Sequence, residues 1–302
     1  MRQSEDVISM IDEVGLAWTS CFAPLAWFSK IRAKLSPVTN FFQVARGERR
    51  GWDKLFFPDS VAAASIEKRF LAPVIKTAAD VTSMIAKADS VAFCCEKTID
   101  ELRRGKYVGA LAWIQRFEYE VNGTGKPLPE VLAQSGSLWY EMNASSKADI
   151  AVSINPGERL FFMRMHEATF VNQRLIRFTK KDESVDIELC HALLCSLVGC
   201  FFLEALGFGR GEGVLDLSAT KIRDSLLMLN PHLLSNNHII AIKEAFAKLV
   251  SRPVKSFEEE CRSEDRLAFE RIVLKAYGCE LLYEEILNAT KTLHGLRLAS
   301  VR

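Results

Sequence analysis

The spacing of apolar residues along the 302-residue chain changes near Asp186, and the change predicts two kinds of structure. Residues 5–35 carry apolar positions at helical spacing and end near Pro37, which predicts a helical lead-in broken around Pro24. From about residue 40 to 180, strand-like runs alternate with helical ones. After Asp186 the pattern is mainly helical. We therefore expect an α+β fold class, with a mixed domain followed by a mainly helical C-terminal unit.

The same pattern places individual elements and divisions. Strands are expected at residues 41–44, 91–95, 150–153, 160–165 and 170–178, and helices at 66–75 and 99–104. Gly, Pro or Asn bounds each of the later helices, expected at residues 187–206, 237–250, 258–277 and 281–298. The expected divisions are a helical lead-in at 1–38, an α+β domain at 39–185, and a helical unit at 186–302 with a glycine-rich loop at 207–213.

Composition and charge narrow the class of protein. With 49% hydrophobic and 25% charged residues, the chain can bury a sizeable core and is expected to hold about two domains. The formal net charge of +1 means that any nucleic-acid surface is a local patch. No basic start followed by an apolar stretch is present, and the longest apolar run, 193–206, contains Ser196 and Glu204. We expect a cytoplasmic protein that does not enter a membrane.

Eight cysteines are present, and none of them forms a paired CxxC spacing. Several lie inside apolar segments, so we expect reduced, buried thiols. Cys190, His191 and Cys195 fall at helical neighbour spacing, yet no second pair with metal-ligand spacing exists, which favours core packing over a metal site.

The most informative polar segment is residues 41–56, in which three arginines, two glycines and a tryptophan lie between apolar runs. Arginine forks bind phosphates or guanine edges, glycines let the backbone approach closely, and tryptophan offers a stacking face. This combination indicates a nucleic-acid surface. The alternative is a β-hairpin whose exposed face carries the charges and whose tryptophan belongs to the core.

Known catalytic motifs are not found in the sequence. The glycine-rich loop follows a long apolar helix instead of a strand, which argues against a dinucleotide fingerprint, and Gly123–Pro127 ends in proline where a P-loop needs a hydroxyl. Asp216 with Lys221 resembles part of a metal-dependent nuclease site, but the position before the lysine lacks the second carboxylate. We expect no catalytic and no metal-binding residues.

Several segments, taken in order, resemble one family over nearly the whole chain: Arg46–Trp52, Asn122–Pro129, Trp139–Met142, Phe170–Arg174, Glu204–Gly211, Leu215–Ser218 and Glu264–Leu274. Together they are similar to the C-terminal target-recognition half of adenine-specific DNA methyltransferases of restriction-modification systems. That family normally also carries a domain for S-adenosylmethionine and an Asn/Asp-Pro-Pro-Tyr/Phe motif for the flipped adenine. The nearest strings here, 154–157 and 229–232, lack the second proline and the aromatic residue.

The resemblance implies a recognition part or specificity subunit that binds double-stranded DNA and pairs with a catalytic methyltransferase domain or subunit. No cofactor is then bound by this chain, and S-adenosylmethionine is expected on the catalytic domain or partner. Asn and Gln pair with adenine, Arg with guanine, and Lys mainly with phosphate. The implied DNA-binding residues fall in three loops and around the glycine-rich loop. The first loop holds Arg46, Arg49, Arg50, Trp52 and Lys54, the second Asn122, Thr124 and Lys126, and the third Asn172, Gln173, Arg174, Arg177, Lys180 and Lys181; Arg210 and Lys221 lie around the glycine-rich loop.

Each of these assignments has a structural alternative. Asn172 and Gln173 are also suited to satisfying backbone groups in a buried turn, and the charges around the glycine-rich loop to capping helix ends. Two other functions remain open for the whole chain. One is a protein-interaction scaffold that docks a partner through its C-terminal helices. The other is a nuclease built around Asp216 and Lys221.

Overall fold

The computed structural model describes residue 8 and residues 11–88, 90–133, 136–142, 147–210 and 213–299. Its strands are β1 (Leu35–Pro37), β2 (Phe42–Arg46), β3 (Leu71–Ile75), β4 (Ile85–Ala86), β5 (Ser90–Phe93), β6 (Lys147–Ser153), β7 (Met163–Val171), β8 (Leu175–Lys180), β9 (Phe208–Arg210), β10 (Val214–Asp216) and β11 (Leu227–Leu229).

The longest of the described helices lie in the last part of the chain. They are α1 (Ala26–Ile31), α2 (Asp53–Phe56), α3 (Ser60–Ala64), α4 (Ile99–Arg104), α5 (Val108–Glu118), α6 (Leu128–Leu132), α7 (Ile187–Leu194), α8 (Leu197–Leu206), α9 (Ala219–Ser225), α10 (Asn236–Val250), α11 (Phe257–Glu260), α12 (Glu264–Ala276) and α13 (Tyr283–Ala299).

The described strands form one seven-stranded mixed sheet and two small antiparallel pairs. The large sheet has the order β2-β8-β6-β7-β3-β5, and β4 pairs with β7 as well. Strands β3 and β4 run parallel to β7, whereas the other pairs are antiparallel. The small pairs are β1 with β11 and β9 with β10. Strand β2, which leads into the arginine-rich segment, therefore lies at one edge of the large sheet.

Two hydrophobic clusters hold these elements together. The larger joins the N-terminal segment, the central strands and the C-terminal helices, so that Phe162 and Phe178 share a core with Phe201 and Phe269. The smaller contains α2, α5 and α6 and is built around residues such as Trp113. The mainly helical part thus packs directly on the sheet, and the structure is α+β, as the pattern predicts.

Most expected elements are present, but several bounds differ. The expected helix at 66–75 is wrong: Lys68–Phe70 forms a 3-10 turn and Leu71–Ile75 is β3, because Pro73 disfavours a helix interior and the strand pairs with β5 and β7. The expected strand at 170–178 is split by a turn between β7 and β8. The expected helices at 187–206 and 258–277 are each interrupted, the first with a bend of 64°.

Other features of the described residues concern cysteine and membrane insertion. The described cysteines are free thiols, and Cys21 is exposed, contrary to the expectation of uniform burial. In the part of the chain that the structure describes, a single helix long and apolar enough to cross a membrane is not found, although the bent pair α7 and α8 passes the length and composition test together. Of the glycine-rich loop at 207–213, Gly211 and Glu212 lie outside the described residues, as do residues 1–7, 9 and 10 of the lead-in.

Candidate nucleic-acid interface

The arginine-rich segment after β2 is tied to the turn between β7 and β8. Gly47 N donates to Leu175 O at 2.8 Å, and Glu48 N donates to Val171 O at 2.9 Å. Gln173 N returns a hydrogen bond to Glu48 O, also at 2.9 Å. A Cβ atom on Gly47 would lie 2.1 Å from the carbonyl oxygen of Asn172, so only glycine allows this approach. The first and third predicted loops therefore form one backbone unit.

Two residues of the first loop face the protein interior. The Arg50 guanidinium donates to Leu138 O and Trp139 O at 3.4 and 3.3 Å and lies over the ring of Phe56. Burial lowers its pKa, against the nearby carboxylates that raise it. Trp52 is half-buried against the smaller hydrophobic cluster. This placement favours the core role for Trp52 and an internal structural role for Arg50 over contact with DNA.

The other charged residues of the first loop face solvent. Arg49 and Lys54 are exposed. Arg46, at the end of β2, is exposed as well and donates from Nε to Gln173 O at 2.8 Å. This bond orients the guanidinium plane, and no described protein group accepts a hydrogen bond from its two terminal nitrogens. Arg46 is thus both positioned and available.

The second predicted loop is a self-contained turn between α5 and α6. Asn122 Oδ1 accepts hydrogen bonds from Thr124 N, Thr124 Oγ1 and Lys126 N at 3.0, 2.8 and 3.0 Å. The Asn122 side chain thereby holds the loop shape, as Asn commonly does in such turns. Lys126 remains exposed. These residues lie beside the smaller hydrophobic cluster and do not line the cavity described below.

Some residues of the third predicted loop hold the backbone in place, and others are exposed at the surface. Asn172 is only 3% exposed, and its Oδ1 accepts from Arg174 N at 3.1 Å, which favours the buried-turn alternative. Arg177 is half-buried and donates to Thr179 Oγ1. Lys180 pairs with Glu183, which matches an ordinary solvated loop. The exposed members of this group are Arg174 and Lys181, while Gln173 is half-buried.

The residues on either side of Gly211 and Glu212 form the antiparallel pair of β9 and β10, called the β9–β10 hairpin below, and α9 follows it. Gly207 permits this turn, because a Cβ atom there would lie 2.3 Å from Leu215 Cδ1. Arg210 on β9 forms an ion pair with Asp216 on β10. Helix α9 begins after Ser218, whose hydroxyl accepts from Lys221 N, and it packs against β2. The helix was not expected from the sequence, although Ser218 before Ala-Thr-Lys-Ile is a typical N-cap signal.

These elements surround a cavity of about 760 Å³ that brings together arginines from distant parts of the sequence. Arg46 comes from β2, Arg210 from the hairpin and Arg223 from α9. We call this cavity the arginine groove. Three arginines line it against one aspartate, Asp216. Its remaining described lining is Val44, Ala45, Ile154, Asn155, Phe208, Leu217, Ser218, Ala219 and Thr220.

Only some of the predicted DNA-binding residues line the arginine groove. Arg46 and Arg210 line it, whereas Lys221 lines a neighbouring cavity of about 670 Å³ beside the N-terminal segment. Phe208 and Asp216 border both cavities. Phe208 did not emerge from the sequence as a site residue. Its alternation with Arg210 in a strand was the available signal.

A buried ionic cluster fixes the base of the hairpin. Glu204 Oε2 accepts from Arg297 Nε at 3.0 Å, and Glu204 Oε1 lies 2.8 Å from His294 Nδ1. Burial alone would raise the pKa of Glu204, but hydrogen bonds from His294 and Arg297 outweigh it and hold that pKa below its ordinary value. Arg297 also donates to Gly213 O in the hairpin. The last helix thus anchors the backbone that carries Phe208 and Arg210.

The side chains that line the groove are suited to binding anions. Arginines bind anions through charge-assisted hydrogen bonds. Burial raises the pKa of Cys190 and Cys200 to about 12, so these thiols are poor nucleophiles. Among the described residues, no group of three or more His, Cys, Asp or Glu side chains is placed to hold a metal ion.

Comparison with known proteins gives a structural likeness and no sequence family. No protein-family model matches the sequence, and no curated protein matches it. Among solved structures, the type IIG restriction endonuclease BpuSI matches with a TM-score of 0.63 at 15% sequence identity. The match covers 92% of this chain and 33% of that enzyme, so the chain spans about one third of its length. At this identity the likeness is one of fold: this chain has the fold of part of a type IIG restriction endonuclease.

Proposed function

We propose that the chain is the target-recognition part, or a separate specificity subunit, of an adenine-specific DNA methyltransferase in a restriction-modification system. The observation that carries the proposal is the arginine groove, in which Arg46, Arg210 and Arg223 converge from three separate elements. Convergent arginines suit the phosphates of a duplex, since these contacts supply much of the affinity of DNA-binding proteins. The fold shared with part of a restriction enzyme supports the same role.

In this proposal the chain contributes binding and leaves the methyl transfer to another domain or subunit. Asn155-Pro156, one of the two strings closest to an adenine-binding motif, is used internally: Asn155 Nδ2 donates to Leu215 O at 3.1 Å. S-adenosylmethionine would be bound by the catalytic domain or partner. The groove residues would hold the duplex, and exposed side chains of the first and third loops, such as Arg49 and Arg174, would contact base edges or phosphates.

The scaffold alternative gains less support from the C-terminal helices. Their main apolar side chains, including Phe269 in α12 and Ile286 in α13, are buried in the chain's own larger core. A docking helix would need an apolar face left open for its partner. The nuclease alternative also gains less support: Asp216 and Lys221 both line the neighbouring cavity, but Asp216 is paired with Arg210, and among the described residues no group of three or more His, Cys, Asp or Glu side chains is placed to hold a metal ion.

The test is a salt titration of binding to a pool of random duplexes, followed by sequencing of the retained DNA. Arg210→Ala and Arg223→Ala are compared with Arg262→Ala, a matched surface arginine that also pairs with a nearby carboxylate but does not line the groove. Each groove substitution should weaken binding roughly tenfold, and each lost phosphate contact should reduce the salt slope by about 0.9. Arg262→Ala should bind like the wild type.

Two results would contradict the proposal. If the wild-type chain fails to bind duplex DNA at low salt, the chain does not hold DNA by itself. If binding is salt-sensitive and groove-dependent but no motif is enriched, the recognition role is wrong and only general DNA contact remains.

A further inference from the structure

The outer face of the β9–β10 hairpin combines an exposed aromatic ring with an arginine. The strand register places Phe208 opposite Asp216 and Arg210 opposite Val214. Cross-strand partners share a face, and so do residues two apart in one strand, so these four side chains lie on the same face. Leu215 belongs to the opposite face, where it is buried against Gly207. The hairpin therefore has one inner face and one outer face.

Phe208 combines high exposure with a position at the edge of the arginine groove. Its side chain is 70% exposed, whereas the largest fully buried side chains of the described chain include many phenylalanines. It lies at the border between the arginine groove and the neighbouring cavity. The Phe208 ring thus exposes a large apolar surface to water, and it does so in the cavity where three arginines would hold a polyanion.

We propose that Phe208 inserts as a wedge between adjacent base pairs of the DNA that occupies the arginine groove. The inference rests on the proposed function and deepens it, because it adds the mode of contact. Apolar side chains such as Phe are suited to this role, since they partly unstack a base step and make no hydrogen bond that insertion would break. Insertion opens the base step on the side of the wedge and kinks the duplex, and the bent duplex can contact more of the protein surface.

Arg210, next to Phe208, provides a positive charge that can bind a DNA phosphate. Arg210 lies two residues from Phe208 on the same face, about 7 Å along the strand, within reach of a phosphate that flanks the opened step. Its present partner is Asp216, in an ion pair with a largely exposed arginine. Such pairs contribute little to stability, so exchange of the aspartate for a phosphate costs little.

The hairpin is held firmly enough to act as a wedge. Leu215 packs in the larger core, Gly207 N donates to Leu203 O at 3.2 Å, and Arg297 donates to Gly213 O. Unstacking a base step requires work against the duplex, which a loosely held loop would not sustain. Here the force is transmitted to α8 and α13.

The experiment places 2-aminopurine, one position at a time, in a duplex that the wild-type chain binds, and records its fluorescence together with end-to-end energy transfer as a measure of bending. Phe208→Ala is compared with Phe22→Ala, an aromatic residue that is 72% exposed and does not line the groove. Wild type and Phe22→Ala should raise the fluorescence at one step and bend the DNA. Phe208→Ala should lose both signals and bind about tenfold to a hundredfold more weakly with an unchanged salt slope.

The outcomes separate the wedge from the proposed function. Phe208→Leu retains an apolar wedge and should keep part of the fluorescence rise and of the bend. If Phe208→Ala behaves like the wild type while Arg210→Ala and Arg223→Ala lose affinity, insertion is wrong and DNA binding by the groove stands. If the wild-type chain does not bind the duplex at low salt, both proposals are overturned.

Discussion

Arg49 and Arg50 are neighbours in the sequence but have opposite environments in the structure. Arg49 faces solvent, whereas Arg50 donates hydrogen bonds to the backbone of residues 138 and 139 and covers the ring of Phe56. Sequence alone assigned both to DNA, since residue type cannot show which side of a loop a side chain takes. The two residues therefore form an internal comparison between a surface charge and a structural one.

Replacing Arg50 by alanine should destabilise the fold. The substitution removes two hydrogen bonds and a ring contact, and we expect a loss of about 1–3 kcal/mol in the free energy of unfolding. Urea denaturation followed by circular dichroism measures it. Arg49→Ala is the matched control and should change stability by less than about 0.5 kcal/mol. Equal effects of the two substitutions would contradict the structural role of Arg50.

At the scale of elements, the close approach of two loops determines where the groove lies. The segment after β2 contacts the turn between β7 and β8 through backbone hydrogen bonds of Gly47 and Glu48. Arg46 is placed at the groove by this contact and by its bond to Gln173 O. A substitution that disturbs the contact between the two loops would therefore displace Arg46, although Arg46 is exposed and is not itself part of a hydrophobic core.

Gly47→Ala tests that dependence. The new Cβ atom would lie 2.1 Å from the carbonyl oxygen of Asn172, a backbone atom that cannot rotate away. We expect a loss of about 1–3 kcal/mol in unfolding free energy, measured by urea denaturation. Gly123→Ala provides the comparison, because its Cβ atom would meet nothing within 4 Å. That variant should be neutral or slightly more stable. A stable Gly47→Ala would show that the two loops are free to separate.

Local signals predicted elements better than they predicted the site. Periodicity and caps located α4 at its observed bounds and α10 to within a residue, since these depend on neighbouring residues. Periodicity predicted a helix at residues 66–75, where the structure has β3, because pairing with two other strands overrides the helical spacing of the apolar residues. The arginine groove lay beyond sequence reasoning for a related reason: Arg46 and Arg223 are far apart in the chain, and only the packing of α9 on β2 brings them together.

At the scale of the whole molecule, one core spans the sheet and the C-terminal helices. His191 of α7 lies at this junction: its Nε2 is 2.8 Å from Phe162 O, and its ring packs against Phe246 of α10. Burial lowers the pKa of His191 to about 3, although its bond to Phe162 O acts in the opposite direction. The imidazole is therefore neutral inside the fold at physiological pH.

Because of this histidine, the free energy of unfolding of the chain should decrease as the pH is lowered. In the unfolded chain His191 takes up a proton near its ordinary pKa of about 6.5, whereas the folded chain does so only near pH 3. Its contribution is fully present above about pH 6.5 and falls by about 1.4 kcal/mol per pH unit below it. Urea denaturation at pH 7.5 and 5.5 measures the loss.

His191→Gln keeps a hydrogen-bonding group at the junction but removes the titration. Its stability should therefore depend less on pH than that of the wild type over the same interval, by about 1.4 kcal/mol. His238→Gln, at an exposed histidine of α10, should retain the wild-type dependence. Parallel curves for the wild type and His191→Gln would mean that another group controls the response.

The division between the groove's side chains and the backbone that carries them has an evolutionary consequence. Arg210 and Arg223 project from the hairpin and from α9, whereas Leu215 and Ile222 bury those elements in the core. Substitutions among the projecting residues can therefore accumulate without disturbing the buried ones. Under the proposed function, the exchange of a few surface residues would give such a scaffold a new DNA target while the residues of its core stay the same.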